Sequence, residues 1–503
     1  MYDIFIIGGG VNGAGIARDA AGRGLKVGLA ERDDLGSHTS SSSTKLIHGG
    51  LRYLEQYEFR LVREALIERE VLLAAAPHII WPLRFVLPHH RGLRPAWLLQ
   101  LGLFIYDHLG GRQKLPPAKR LRLDAGPYRG VLQETFVRGF SYSDCWVEDS
   151  RLVVLNAVDA HERGADIFTR TECVALERSP EKWRITLKDA DGLREVFARV
   201  VVNASGPWVD QIDAQAKPKT NTAALRLVKG SHIVLRRIYE GDHAFIFQHE
   251  DGRIVFAIPY EQDFTLIGTT DVAVDSASDG AEVSADEEKY LCDLVSSYFA
   301  KPVTPKDIVW RYAGVRPLFD DAAGEAAKVT RDYTLVLDDD EAPILSVYGG
   351  KITTFRKLAE HALEKLKPNF PRLSDAWTKT APLPGGEIKN GDYDAFLTAL
   401  LEAYPTAPAR LVDRLARAYG ARAPDILSSA FPKGGGGVRG QSFVAGDITA
   451  AELDYLIEHE FAQTADDVLW RRSKLGLHLT PDERKAVDAW FAENAAKATE
   501  TVA

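Results

Sequence analysis

The chain opens on Ile4-Phe5-Ile6-Ile7, a continuous apolar run closed by glycine, the pattern of a parallel strand buried on both faces. A helix is predicted next, to about Gly22 or Gly24, and Leu25 to Ala30 form a second strand. Far along the chain the same pattern returns twice. Residues 198–210, ARVVVNASGPWVD, read as an apolar strand ending in a glycine turn. Residues 342–366 read as a strand, the pair Gly349-Gly350 and a helix, with Ile352, Phe355, Ala359, Ala362, Leu363 and Leu366 at helical spacing. A long helix is predicted from about Glu58 to Ala76, stopped by Pro77, and short strands with turns from 160 to 210. From 225 to 337 apolar and polar positions alternate with period two, which predicts an antiparallel sheet able to cap a cofactor and line a substrate cavity. The turn-rich APLPGGEI at 381–388 marks a boundary; 391–503 read mainly as helices, with GGGG at 434–437 as a loop.

Composition narrows the class. At 503 residues the chain is long for one domain, and the length prior is about three. A hydrophobic fraction of 45%, a charged fraction of 26% and a net charge of −9 describe an ordinary globular chain without the basic footprint of a nucleic-acid binder. The three cysteines, Cys145, Cys173 and Cys292, form no CxxC pair. That suits a reducing compartment and excludes a zinc ribbon or an iron–sulfur cluster held by this chain alone. No metal is expected. The amino terminus has no basic segment ahead of its short apolar run, so no signal peptide is expected.

The first candidate chemistry is Gly8-x-Gly10-x-x-Gly13, between the first strand and helix. The first glycine allows the turn, the second lets backbone approach a pyrophosphate, and the third packs helix on strand. Glu31, 18 residues beyond Gly13, is placed to accept the ribose hydroxyls and disfavours a 2′-phosphate. An enzyme of nicotinamide cofactors usually completes its site within one contiguous domain. A chain that returns after more than 300 residues with Gly349-Gly350 at a helix start is expected to be a flavoprotein, because that helix end favours the negative charge of a reduced isoalloxazine. The passage HTSSSSTKLIHGGLRYLE, 38–55, then reads as a cofactor loop. Thr39, Ser40 and Ser43 are its donors, and Lys45, His48 and Arg52 lead from cofactor to substrate.

Taken together and in order, Gly8 to Glu31, SSSTKLIHGGLRYLE, FSYSDCWVEDSRLV, VNASGPWVD, KGSHIV, IGTTD, AGVRPL, TRDYTL, GGKITTFRKLAEHALEKL and ADDVLWRRSKLGL resemble FAD-dependent glycerol-3-phosphate dehydrogenase. This is the respiratory enzyme of the D-amino-acid-oxidase-like flavoprotein superfamily. Two positions depart from the family's pattern: Ser205 stands where threonine is more usual, and His38 where a small residue is expected.

The resemblance implies an α/β and α+β fold. Its Rossmann-like FAD-binding domain would be built from 1–75, 160–215 and 338–380. An insertion would occupy 76–159, an antiparallel substrate cap 216–337 and a helical C-terminal domain 388–503. Non-covalent FAD would be held by Gly8, Gly10, Gly13, Glu31 and Arg32, by Thr39, Ser40, Ser43, Lys45, Leu46 and Gly49, and by Ser205 and Gly206. Gly349, Gly350, Lys351, Ile352 and Thr353 would complete that set.

A phosphate dianion needs planar, bidentate donors. Arg316 and Arg331, with Arg52, Tyr53 and Lys351, are the candidate substrate residues. The implied reaction oxidises C2 of sn-glycerol 3-phosphate to the ketone, with hydride passing to flavin N5. His48 and His232 are candidate bases, with arginine-assisted transfer through Arg316 left open.

The acceptor implied is a membrane quinone, at the cytoplasmic face of the inner membrane. The apolar run Pro95 to Tyr106, followed by Arg112, Lys114, Lys119, Arg120 and Arg122, is too short to span a bilayer; it suits either the lipid interface or a buried core helix. The alternatives are a soluble oxidase using oxygen, an amine oxidase of the same superfamily, and a non-catalytic nucleotide-binding module. Oligomeric state, a homodimer included, is left open.

Overall fold

The computed structural model describes residues 1–503 except 91, 112–113, 218–224, 250–251, 281, 320–332, 433–442 and 503, with side chains beyond 494 also undescribed. The glycine run at 434–437 therefore lies outside the described residues, as do Arg112 and Arg331.

Among the described residues two large sheets organise the chain. The first has eight strands, in the order Tyr333–Asp338, Ile344–Gly349, Gly192–Asn203, Tyr2–Ile7, Val27–Ala30 and Asp166–Phe168, with Trp183–Asp189 and Glu172–Arg178 continuing from Gly192–Asn203 as a meander. Its centre is parallel: Ile4 registers with Val200 on one side and Val27 on the other, and Val201 with Ile344. Ile4 and Ile6 point into a core that receives Ala14 and Ala17 of helix Val11–Gly22 and Leu358, Ala359, Ala362 and Leu363 of helix Phe355–Leu366. Burial on both faces is why these strands are unbroken apolar runs.

The second sheet has ten strands and is antiparallel except where Ala244 and Phe245 run parallel to Phe85 and Val86. The segment 76–159, expected as an insertion, divides between the two sheets. Strands Ile80–His89 and Arg138–Val147 are members of the cap sheet. Helix Asp149–Glu162 packs instead on the first-sheet core, through Leu152, Val153 and Val154. Strand Tyr333–Asp338 falls at the end of the segment expected as the cap, 216–337. It pairs with Ile344–Gly349 in the first sheet, because its apolar face completes that core through Leu335.

The third unit is helical, with Tyr393–Ala403, Ala409–Tyr419, Ala423–Ala430, Ala450–Glu460 and Pro481–Val502 around a core of its own. It is tied to the first unit by buried ion pairs. Arg151 meets Glu460, and Arg472 and Arg471 both reach Asp34. The apolar run at 95–106 becomes helix Ala96–Leu109. Leu103 and Tyr106 are buried, whereas Trp97, Leu101 and Phe104 are 65%, 47% and 60% exposed on the other face. No helix among the described residues is long and apolar enough to cross a membrane.

Candidate active site

A cavity of about 400 Å³ is lined by residues of both sheets. Its first wall is the glycine turn. Gly8 sits at φ +110°, and a Cβ there would lie 2.5 Å from the Ala204 carbonyl oxygen. A Cβ on Gly13 would fall 1.9 Å from the Gly8 carbonyl oxygen, which is why helix and strand meet so closely there. Glu31 is buried beside them, accepting the Gly9 N–H at 2.7 Å and the Asp33 N–H at 3.0 Å. Burial pushes its carboxyl upward, against the pull of those two donors. Arg32 lies 4.0 Å over the Trp208 ring, and the His38 ring meets the same indole edge-on at 4.7 Å. The unexpected histidine also sits 2.8 Å from Asp33, so the loop accommodates it as an aromatic and polar contact.

The hydroxyl loop runs along the cavity, but its donors are divided. Ser40 Oγ accepts the Val11 N–H at 3.0 Å, at the start of the helix. Thr39 donates to the Val315 carbonyl at 2.6 Å and so fastens the loop to the cap strand Ile308–Phe319. Ser43 donates to Asp149 at 2.7 Å. Lys45, expected at the cofactor, is turned inward: its side chain is fully buried and its Nζ lies 2.7 Å from Asp149 Oδ1. An ammonium so far from water needs a carboxylate, and Asp149 supplies it.

The Gly349-Gly350 turn forms the opposite wall. Gly350 has φ +101°, and a Cβ on it would meet the Asn12 side chain at 3.0 Å. Asn12 Nδ2 donates to the Gly349 carbonyl at 3.2 Å, which joins the first glycine turn to the last. At the cap end stand His48, Tyr53, His232, Arg316 and Lys351. Lys351 Nζ lies 4.0 Å over the Tyr53 ring. Arg316 pairs with Asp271 and donates to Thr269 Oγ1 at 2.9 Å. His232 is stacked on Tyr312 with ring centroids 4.7 Å apart, and its Nε2 lies 2.9 Å from Thr44 Oγ1. Burial, then Arg316 and Lys45, hold this imidazole far below its ordinary pKa, so it is neutral.

Of the residues expected from the sequence, Gly8, Gly10, Glu31, Arg32, Thr39, Ser40, Ser43, Leu46, His48 and Tyr53 line this cavity. So do Ser205, Gly206, His232, Arg316, Gly349, Gly350, Lys351, Ile352 and Thr353. Gly13, Lys45, Gly49 and Arg52 are not on its wall. Gly49 has a packing reason instead: its N–H donates to Tyr106 Oη at 2.8 Å, and a Cβ would collide with Leu66. The residues not anticipated include Asn12, Thr44, Trp208, Phe256, Thr269 and Gly314. Of these six, all but Phe256 lie within a motif already singled out; Phe256 is a lone aromatic on an alternating strand that carries no local signal.

The cavity fits a flavin dinucleotide. Its wall runs from the buried carboxylate of Glu31, past two turns where a side chain has no room, to a second glycine pair at a helix start. Glu31 would hold the ribose, the Gly10 and Ser40 region the pyrophosphate, and Gly350 to Thr353 the ring edge.

Comparison with known proteins agrees. The family model described as FAD dependent oxidoreductase matches residues 3–356, and that described as C-terminal domain of alpha-glycerophosphate oxidase matches residues 376–498. A D-erythritol 1-phosphate dehydrogenase of Brucella abortus is 52% identical, over 97% of each chain. A glycerol-3-phosphate dehydrogenase of Pseudomonas aeruginosa is 51% identical, over 96% of this chain and 94% of that one. The crystal structure of a glycerol-3-phosphate dehydrogenase from Bacillus halodurans, complexed with FAD, superposes with a TM-score of 0.79 at 26% identity, over 98% of this chain and 90% of that one.

Proposed function

The chain belongs to the FAD-dependent oxidoreductase family, and from that premise we propose that it oxidises the secondary alcohol of sn-glycerol 3-phosphate to dihydroxyacetone phosphate and passes the electrons to membrane quinone. The observation that carries the reading is the cap end of the cavity, where two histidines, a tyrosine, an arginine and a lysine share a wall with the cofactor turns. FAD bound in the cradle supplies the hydride acceptor. Arg316 offers planar donors to the phosphate, with Asp271 and Thr269 fixing its plane. Lys351, held over Tyr53, adds a second cation. His232, neutral and shielded from water, takes the proton of the C2 hydroxyl, and a dianionic phosphate facing Arg316 offsets the cation that depresses it. His48 stands on the same wall, its main chain in contact with Thr353 Oγ1, as the other candidate base.

A second substrate has an observation of its own. The relative that is 52% identical acts, by name, on D-erythritol 1-phosphate, a longer phosphorylated polyol. Anaerobic addition of each compound, followed at the flavin absorption band, separates the two. Faster bleaching by glycerol 3-phosphate is expected; faster bleaching by erythritol phosphate selects the second reading; no bleaching by either overturns both.

For the acceptor side, the exposed Trp97, Leu101 and Phe104, with exposed Lys119, Arg120 and Arg122 on the following strand, suit peripheral binding to an anionic inner-membrane surface. Co-sedimentation with anionic vesicles at low salt and release at high salt is the expected result, and indifference to lipid would sink it.

A further inference from the structure

We infer that Gly230 is a positioning residue for the substrate's phosphate: its bare backbone, with Thr269 beside it, is the shelf on which the Arg316 guanidinium lies. The inference rests on the reading of Arg316 as the residue that holds the phosphate.

Strands Leu225–Arg236 and Ile308–Phe319 of the cap run antiparallel, with Gly230 opposite Gly314 and Val228 opposite Arg316. Arg316 is therefore the diagonal neighbour of Gly230 on one face of the sheet, a distance a long side chain spans. A Cβ on Gly230 would stand 2.3 Å from Arg316 Nη2 and 2.6 Å from Thr269 Oγ1. Those two atoms are bonded to each other at 2.9 Å, so a methyl group would enter the space of that hydrogen bond. Gly314 clears the same face for another purpose, since a Cβ there would stand 2.6 Å from Ser42 Cβ of the hydroxyl loop. Gly230 is not at positive φ, so its backbone accepts an L residue, and the guanidinium is the reason for a glycine.

The strand is held from behind. Lys229 and Ser231, on either side of Gly230, point to the other face, where each lies 2.8 Å from a carboxylate oxygen of the buried Glu287. Thr270 Oγ1 donates to the same carboxylate at 2.7 Å and accepts the Ser231 N–H at 3.0 Å, which fixes the turn between Thr269 and Asp271. A clash at Gly230 is therefore relieved by the arginine, the far end of a flexible chain, with little loss of stability but a changed orientation. Orientation is what a phosphate reads. A guanidinium offers its donors in one plane, and two parallel N–H···O bonds form only when an edge of that plane faces the phosphate oxygens. Arg316 lies on the cavity wall with its side chain 25% exposed, its Nη1 on Asp271 and its Nη2 on Thr269. Displacing Nη2 breaks the Thr269 bond and turns the plane about the Asp271 ion pair.

The test uses the FAD-loaded enzyme and whichever of the two phosphorylated polyols bleaches the flavin faster. In Gly230→Ala, KM is expected to rise about 10- to 100-fold, with kcat within about 3-fold and FAD retained. Arg316→Ala should raise KM at least as far. A merely structural effect of the methyl would persist without the arginine. In the variant carrying both Gly230→Ala and Arg316→Ala, KM is expected to stay within about 3-fold of Arg316→Ala alone. A native KM in Gly230→Ala, or a rise of equal size in both backgrounds, overturns the inference and leaves Arg316 in its role. A native KM in Arg316→Ala removes the arginine from phosphate binding, and the inference with it. Bleaching by neither polyol overturns the proposed function and this inference together. Should Gly230→Ala lose its flavin, Thr269→Ala takes away part of the shelf without adding a methyl. There KM is expected to rise about 3- to 10-fold, and a native KM overturns the shelf.

Discussion

At the residue scale the site is a set of buried polar groups whose partners decide their use. Glu31 is the clearest case, because one carboxylate both completes the glycine turn through the Gly9 N–H and faces the cavity. Glu31→Gln keeps the shape but removes the charge, and charged hydrogen bonds contribute about 1.5–3 kcal/mol each. We expect the variant to bind FAD about 10- to 100-fold more weakly by fluorescence titration, with its fold intact by circular dichroism. An unchanged FAD affinity would mean that the carboxylate serves only the turn. Lys45 shows the opposite outcome. Its charge was legible at once, but its direction depended on Asp149, more than a hundred positions away.

At the element scale, the motif ADDVLWRRSKLGL, 465–477, acts as a clasp between the units. Asp467 receives Arg170 at 2.8 Å, Arg471 and Arg472 reach Asp34 in the loop after Glu31, and Trp470 stacks on Trp310 of the cap with centroids 4.9 Å apart. Asp34 and Arg472 are almost wholly buried, so loss of either partner leaves an uncompensated charge, at a cost of about 3–5 kcal/mol. Arg471 stays on Asp34 when Arg472 is replaced, so Arg472→Met should fall at the lower end. In a double-mutant cycle with Asp34→Asn, followed by urea unfolding, the double variant is expected to lose less than the sum of the singles by roughly 1–3 kcal/mol. Strict additivity would show that the pair does not couple the units.

At the scale of the whole molecule, the junction with the helical unit closes over His78. Its ring is fully buried, neither nitrogen has a hydrogen-bond partner among the described residues, and Gly385 and Gly420 pack against it. Burial, then Arg151, Arg417 and Arg422, lower its pKa to about 3. Unfolded, the same side chain titrates near about 6.5. Below that pH the unfolded chain takes up a proton the folded one refuses, so this contribution to stability is full above pH 6.5 and declines as pH falls toward 3. The loss reaches about 2 kcal/mol by pH 5. His78→Leu should shrink the difference between the unfolding free energies measured in urea at pH 7 and pH 5 by that amount; an undiminished difference would place the acid sensitivity elsewhere.

The sequence by itself determined the strand–turn–helix around Gly8 to Glu31, the glycine pair at 349–350, the period-two cap strands and 19 of the 42 residues that line the cavity. These are local signals: steric room at a turn, the period of burial along an element, and a charge at a fixed spacing from a glycine. Tertiary structure alone decided which sheet the strands Ile80–His89 and Tyr333–Asp338 joined, that Lys45 faces Asp149, that Asn12 bridges two turns, and that Thr44 stands against His232. Each of those depends on a partner supplied by a distant part of the chain. Periodicity records which face of an element is buried, whereas the identity of what it is buried against is fixed only when the chain packs.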